Sequence, residues 1–266
     1  MYETKYHKPS SLDAAAGALA SADDAKFLGG GQTLIPTMKQ RLAAPSDLID
    51  VTGLAELKGI SFDGTTLTIG AATTHAEVAA SADVKTAIPS LASLAGGIGD
   101  PQVRHMGTLG GSVANNDPAA DYPSAVLGLS ATVNTNKRSV PADEFFDGMF
   151  ATSLEEDEII VSISFPKPKR SAYAKFDNPA SRYALVGVFV AELADGSVRV
   201  SVTGAGSDGV YREGAMESAL SANFAADALS GASADPDAMM SDIHGSAAYR
   251  AHLVKVMAGR AVAAAG

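Results

Sequence analysis

Short blocks of alternating and periodic apolar positions run along the chain, and they predict many short helices and strands. Residues 9–13 and the Ala-rich run after them are typical of a capped helix, and residues 25–28 of a short strand. A short helical stretch to Arg41 and a strand at residues 48–51 follow. This pattern predicts a first unit that ends near residue 55.

The middle of the chain opens with the alternation of a strand at residues 65–71. Residues 74–77 have capping-box spacing, which predicts a helix start, and a second helix is predicted at residues 84–95. Residues 96–118 lack periodicity and are rich in Gly, Asn and Asp, so we expect an ordered loop there rather than a packed element. Asp121, just before a Tyr-Pro pair, predicts another helix start.

The last part of the chain is predicted to form a separate domain. The strand pattern at residues 158–165 ends in the polar, Pro-containing segment 166–170, which we interpret as a boundary. Strand patterns at residues 184–193 and 198–203 then flank Asp-Gly at 195–196, a strong hairpin signal. The remainder is Ala-rich and helical in character.

Composition narrows the classes of function. With 266 residues and 46% hydrophobic content, the chain can bury a substantial core. A formal net charge of -10 without a basic cluster makes nucleic acid an unfavourable partner. The absence of Cys excludes disulfides, thiolate metal sites and Cys-ligated iron-sulfur clusters within this chain. Redox chemistry would therefore require a bound cofactor.

Other signals give negative expectations. The N-terminal residues lack the apolar stretch of a signal peptide and no apolar run would span a bilayer, so we expect a cytoplasmic protein without an integral membrane segment. The five histidines, among them His75, have no metal-ligand spacing and are interpreted as surface or packing residues. The acidic run at residues 155–158 is interpreted as a solvated charge run, and Ser124 does not lie in a nucleophile elbow. No metal site and no catalytic residue is predicted.

Two Gly-rich segments are the candidate chemistry of this chain. Residues 29–33, Gly-Gly-Gly-Gln-Thr, follow a predicted strand, where side-chain-free residues let backbone N–H groups converge on an anion such as a pyrophosphate. A plain turn is the alternative. Residues 107–112, Gly-Thr-Leu-Gly-Gly-Ser, could close on the same dinucleotide from another side. Neither segment is a Walker loop, and Leu34 stands where the Rossmann pattern requires its third Gly.

These two segments carry a resemblance to a known family. Residues 28–36 (LGGGQTLIP) and 100–111 (DPQVRHMGTLGG) resemble the FAD-binding medium subunits of the xanthine dehydrogenase and aerobic carbon monoxide dehydrogenase family of molybdenum hydroxylases. The resemblance covers nearly the whole chain. It implies an α+β fold: a two-subdomain FAD-binding fold of the vanillyl-alcohol-oxidase (PCMH) type and a C-terminal domain with a three-stranded antiparallel sheet and helices. The implied domains are residues 1–55, 56–168 and 169–266.

The resemblance also implies a set of FAD-binding residues. The two Gly-rich segments would hold the pyrophosphate, Ile98 and Asp121 would lie along the adenosine and ribityl part, and Ile160 and Lys175 would lie next to the flavin ring. Residues 177–182 depart from the basic pattern that many relatives carry after this lysine, so an ordinary strand lysine is the alternative for Lys175. The full expected set is Gly29, Gly30, Gly31, Gln32, Thr33, Ile98, Thr108, Leu109, Gly110, Gly111, Ser112, Asp121, Ile160 and Lys175.

The function implied by the resemblance is electron transfer. A large subunit with molybdopterin would oxidise the substrate, a small subunit with two [2Fe-2S] clusters would relay electrons, and FAD in this chain would pass them to a quinone, oxygen or a nicotinamide. The implied assembly is a heterohexamer, a dimer of such trimers. A stand-alone FAD-dependent oxidase and a flavin-free assembly protein are the alternatives. The sequence does not reveal the substrate.

Overall fold

The computed structural model describes residues 1–265, and its N-terminal part is a small parallel sheet with helices. The strands pair in the order β1-β3-β2, so β3 lies in the centre. Ser11 begins the first helix because its side-chain oxygen accepts a hydrogen bond from the N–H of Ala14 at 3.2 Å. The elements are β1 (Lys5–His7), α1 (Leu12–Ala20), β2 (Ala25–Leu28), α2 (Leu34–Lys39) and β3 (Asp47–Asp50).

The middle part is a five-stranded antiparallel sheet whose long connection contains six helices. The strand order is β4-β5-β8-β6-β7, which puts β8, the last strand in sequence, in the centre. The strands are β4 (Ile60–Phe62), β5 (Thr66–Gly70), β6 (Thr132–Thr135), β7 (Ser139–Pro141) and β8 (Ile160–Pro166). The helices are α3 (His75–Ala80), α4 (Ala82–Ala87), α5 (Pro89–Gly96), α6 (Pro101–Met106), α7 (Leu109–Asn115) and α8 (Tyr122–Gly128).

Two predictions for this connection are wrong. The single helix expected at residues 84–95 is interrupted at Ile88, since a following proline disfavours helical backbone there, and Ile88 has φ -144°. The segment 96–118, expected to be a loop, contains α6 and α7. Asp100 and Thr108 cap these helices by accepting hydrogen bonds from Val103 N–H at 2.9 Å and Gly111 N–H at 3.2 Å.

The C-terminal part is an antiparallel sheet covered by helices on both faces. The expected three strands are present, and a two-residue strand adds to the edge in the order β12-β11-β10-β9. The predicted hairpin turn is formed at Gly196, where φ is +91°. The elements are β9 (Arg170–Asp177), β10 (Ala184–Glu192), β11 (Val198–Thr203), β12 (Tyr211–Arg212), α9 (Gly214–Ala222) and α10 (Ala247–Ala264).

Strand β10 joins two hydrophobic cores. Val188 and Val190 face the core that α10 covers, whereas Phe189 and Ala191 belong to the core beneath α8. Successive side chains of a strand point to opposite faces, and both faces of β10 are buried. Its sequence is therefore continuously apolar rather than alternating. The C-terminal sheet is therefore packed directly against the middle part. The division of the chain at residues 55 and 168 stays a prediction.

Candidate cofactor site

A cavity of about 770 Å³ lies between the N-terminal and middle parts of the molecule. Its volume falls within the range of small-molecule and cofactor sites. Both Gly-rich segments line it, together with residues 98–100 between α5 and α6, the N-cap residue of α8 and the first residue of β8. Of the fourteen expected residues, the cavity wall contains Gly29, Gly30, Gly31, Gln32, Thr33, Ile98, Thr108, Gly110, Gly111, Ser112, Asp121 and Ile160.

The first Gly-rich segment presents free backbone donors to this cavity. Within the described part of the chain, none of the N–H groups of residues 29–33 donates a hydrogen bond. Gly31 has φ +70°, which turns the chain from β2 into α2. A Cβ atom on Gly30 would overlap the carbonyl oxygen of Met106, at the end of α6. The segment is thus a cradle of unused donors, held against the second segment by a close backbone contact.

The second Gly-rich segment is built differently, because all of its N–H groups except that of Thr108 already have partners within residues 1–265. Leu109 N–H donates to the Thr73 carbonyl at 3.0 Å and Gly110 N–H to the Ala71 carbonyl at 2.8 Å. A Cβ atom on Gly110 would lie 2.5 Å from the Cβ of Ala71, so this position also requires close backbone approach. Leu109 is buried in the core and does not line the cavity. Toward the cavity the segment offers Thr108, Ser112 and glycine backbone.

Asp121 and Lys175 meet, although only Asp121 lines the cavity. The Lys175 ammonium lies 3.2 Å from the Asp121 carboxylate and 3.4 Å from that of Asp177, and its side chain is 9% exposed. Tyr173 donates its hydroxyl to Asp121 at 2.5 Å. Burial raises the pKa of the Asp121 carboxyl, and the adjacent ammonium opposes that rise. The salt bridge from Lys175 therefore connects β9 to the N-terminus of α8, although Lys175 itself does not line the cavity.

Glu158 is a wall residue that the sequence did not indicate. Residues 155–157 are exposed as expected, but Glu158 is buried and lines the cavity. Arg138 donates to both of its carboxylate oxygens at 3.0 Å, and Thr135 donates at 2.6 Å. These hydrogen bonds, that from Arg138 above all, lower the pKa of Glu158 to about 2. The carboxylate is ionised at neutral pH and fully engaged in holding β6 against β8.

His75 was expected to be a surface or packing residue, and it is a buried residue of the cavity wall. It begins α3, and its N–H donates to the Gly107 carbonyl at 3.0 Å. Its ring packs against that of Tyr122, with centroids 5.3 Å apart. Burial, with the Arg104 charge as a further cause, lowers the pKa of His75 to about 4. The imidazole is therefore neutral at physiological pH.

The described residues contain neither a metal cluster nor a helix suited to a membrane. Across residues 1–265, no cluster of three or more His, Cys, Asp or Glu side chains could hold a metal ion. Over the same range, no helix has the length and apolar character needed to cross a membrane.

The fold and the cavity define a dinucleotide-binding protein outside the Rossmann class, and comparisons with known proteins agree. The carbon monoxide dehydrogenase medium chain of Hydrogenophaga pseudoflava is 34% identical, with 98% of this chain and 96% of the relative covered. The nicotine 6-hydroxylase medium subunit of Paenarthrobacter nicotinovorans is also 34% identical, with 98% and 97% covered. The reconstituted CO dehydrogenase from Oligotropha carboxidovorans has a TM-score of 0.89 at 31% identity, with 99% and 97% covered.

The family follows from these matches. Residues 2–168 match the model of the FAD binding domain in molybdopterin dehydrogenase, and the chain belongs to this family. It is an oxidoreductase subunit with FAD as its cofactor. The residues present fit that group, because unused N–H donors at residues 29–33 and glycine-lined walls leave room for a pyrophosphate.

Proposed function

We propose that this chain transfers electrons within a molybdenum hydroxylase complex, from a [2Fe-2S] subunit through FAD to an external acceptor. The observation that carries the proposal is the chemistry of the cavity wall. It offers donors that suit a bound dinucleotide, whereas its buried titratable groups are engaged or neutral. Such a wall binds and orients a cofactor without performing acid/base chemistry on a substrate.

Each part of the wall has a distinct task in this proposal. The N–H groups of residues 29–33 hold the pyrophosphate, and the Thr108 and Ser112 hydroxyls approach it from the second segment. Ile98 and Ile160 supply apolar wall, while the Asp121 carboxylate, held by Lys175 and Tyr173, keeps acceptor positions for hydroxyl groups of the cofactor. Bound FAD supplies the exchange between two-electron and one-electron transfer. The chain's own residues hold it, orient it and exclude water.

Partner subunits are supported by what the relatives are called. They include medium chains of carbon monoxide dehydrogenases and a subunit of a 6-hydroxypseudooxynicotine dehydrogenase complex. We infer a large molybdopterin subunit, a small [2Fe-2S] subunit and a heterohexamer, with a quinone, oxygen or a nicotinamide as the acceptor. A cytoplasmic location stays a prediction.

The substrate is not assigned, because relatives with different substrates are equally similar. Medium chains of a carbon monoxide dehydrogenase and a nicotine 6-hydroxylase each share 34% identity with this chain. Equal similarity is what we expect if substrate choice belongs to the large subunit.

Reconstitution tests the proposal. The tagged chain is coexpressed with the two candidate subunits, and the purified complex is given substrate without oxygen while the flavin absorbance is followed. We expect a large and a small subunit to copurify, and the flavin to bleach only when the iron-sulfur subunit is present. Flavin reduction that is unchanged in a complex lacking the iron-sulfur subunit would contradict the relay. A purified chain that lacks FAD would favour the assembly protein instead.

A further inference from the structure

His75 is a buried polar side chain, and packing alone does not explain its position in the cavity wall. The residue is 4% exposed, and its Nδ1 atom is fully enclosed without a hydrogen-bond partner in residues 1–265. Buried polar atoms usually have partners, and each exception calls for a physical reason. The hydroxyl of Tyr122, whose ring packs on the imidazole, is enclosed without a partner as well.

The other ring nitrogen faces the second Gly-rich segment. A Cβ atom on Gly107 would lie 2.6 Å from Nε2 of His75, and both residues line the cavity. A side chain at position 107 would therefore occupy the space next to Nε2, which glycine leaves free, and Nε2 is not among the fully enclosed atoms without a partner. The backbone fixes the arrangement, since His75 N–H donates to the Gly107 carbonyl at 3.0 Å and Leu109 N–H to the Thr73 carbonyl at 3.0 Å.

The tautomer follows from this asymmetry. A neutral imidazole carries one proton, and the proton is stabilised on the nitrogen that can reach an acceptor. Enclosed Nδ1 has no acceptor, whereas Nε2 lies at the wall of a cavity whose ligand is rich in phosphate and hydroxyl oxygens. A second proton would occupy Nδ1 and lack a partner, and Arg104 adds repulsion, which accounts for the pKa near 4.

We propose that His75 is a cofactor-binding residue, whose neutral imidazole donates an Nε2–H hydrogen bond to an oxygen of the pyrophosphate or ribityl part of FAD. The inference rests on the proposed binding mode, in which the two Gly-rich segments close on that part of the cofactor. His75 would supplement them, because the backbone N–H groups of the second segment are already used at Leu109 and Gly110.

Three substitutions separate the hydrogen bond from packing. His75→Gln places an amide donor near the position of Nε2, His75→Asn places it near Nδ1, and His75→Phe retains a ring against Tyr122 without a donor. The exposed His252 on α10 provides the matched control His252→Phe. The dissociation constant for FAD is measured by fluorescence quenching on the full chain, and the unfolding midpoint is measured without FAD.

The expected order of FAD affinity among the variants distinguishes a hydrogen bond from packing. His75→Phe and His75→Asn should weaken FAD binding about tenfold or more, the loss typical of one hydrogen bond to a charged group. His75→Gln and His252→Phe should stay within about threefold of the unchanged chain. In addition, nitrogen NMR of the labelled histidine should report the Nε2–H tautomer, with a shift of that signal when FAD binds.

Three results would overturn the inference. If His75→Phe bound FAD as tightly as the unchanged chain does, the proposed hydrogen bond from His75 to FAD would be ruled out. Equal losses in all three His75 variants, with equally lowered unfolding midpoints, would make the residue structural. An Nδ1–H tautomer in the bound protein would contradict the geometry. In each of these three cases the unchanged chain still binds FAD, so only the inference about His75 fails. If the unchanged chain did not bind FAD, the proposed binding mode itself would be refuted.

Discussion

Glycine is required at two positions of the cavity wall because another part of the backbone lies where its Cβ would stand. Gly30 abuts the Met106 carbonyl, and Gly110 abuts Ala71. The sequence indicated both positions as phosphate-binding glycines, but it did not show that they also set the distance between the two segments. Glu158 was wrongly interpreted as part of a solvated charge run, because its partner Arg138 is distant in sequence. His75 is a packing residue, as the sequence allowed, but its place in the cavity wall depends on Gly107, which no local pattern connects to it.

The first prediction concerns these glycines. Gly30→Val and Gly110→Val should abolish measurable FAD binding and lower the free energy of unfolding by more than about 2 kcal/mol, since backbone must move to admit the new side chain. Gly17→Ala in α1 is the control, because nothing lies within 4 Å of its added Cβ. That change should stabilise the chain by about 0.5–1 kcal/mol and leave FAD affinity unchanged. Full flavin loading of both Val variants would refute the assignment.

The second prediction is a pH dependence that arises from His75. The imidazole titrates near pH 6.5 when unfolded and near 4 when folded, so the unfolded chain binds the extra proton between these values. The contribution of the neutral imidazole to the free energy of unfolding is therefore fully present above pH 6.5 and is lost as the pH falls toward 4. From pH 7 to 4, the FAD-free chain should lose about 3 kcal/mol more stability than His75→Gln. Urea unfolding at several pH values measures this difference, and parallel curves would contradict it.

Strands with strong periodicity and helices that open on a standard capping pattern, such as α1 and α3, were predictable, whereas α6 and α7 in the Gly-rich segment were not. Strands β5, β10 and β11 alternate or are continuously apolar and were found near their observed bounds. Helix α7 contains two glycines, which are poor helix formers, and it exists because Thr108 caps it and its core-facing residues pack against α8 and β8. The segment was therefore interpreted as a loop, although its ligand-binding character was indicated by the same glycines.

The third prediction concerns the connection between β9 and α8. Lys175→Met removes the ammonium that faces the buried Asp121 carboxylate, and an uncompensated buried charge typically costs about 3–5 kcal/mol. The control is Lys169→Met, because Lys169 is half exposed and lies 3.5 Å from Glu192 in a surface pair worth at most about 1 kcal/mol. Urea unfolding of the FAD-free chain compares the two. Similar, small decreases in the free energy of unfolding for both variants would indicate that Lys175 is an ordinary strand lysine.

Over the whole molecule, the cofactor cavity and the C-terminal sheet are held together by α8. Its buried face belongs to the middle core, and its N-cap residue is Asp121, to which Lys175 and Tyr173 of β9 donate hydrogen bonds. Arg199 of β11 adds a second connection by donating to both carboxylate oxygens of Asp143 at 2.8–2.9 Å. The connection between β9 and β10 also lines the cavity, at residues 180–183, so the C-terminal sheet contributes to the site directly.

The last prediction is that the isolated chain, loaded with FAD, is not reduced by substrates of molybdenum hydroxylases. The sequence has no Cys to ligate an iron-sulfur cluster, Glu158 is held ionised by Arg138, and His75 remains neutral above pH 4 or so. The chain therefore has no thiolate to hold an iron-sulfur relay, and these two buried titratable groups of the cavity wall, among residues 1–265, are engaged or neutral rather than free for acid/base work. Anaerobic additions of aldehydes, purines and carbon monoxide should leave the flavin absorbance unchanged, whereas dithionite should bleach it and a dye should restore it. The dithionite arm shows that the flavin is competent, so an unchanged spectrum reflects the absence of partner subunits. Rapid bleaching by any of the three substrates would instead establish a stand-alone oxidase and remove the need for a relay.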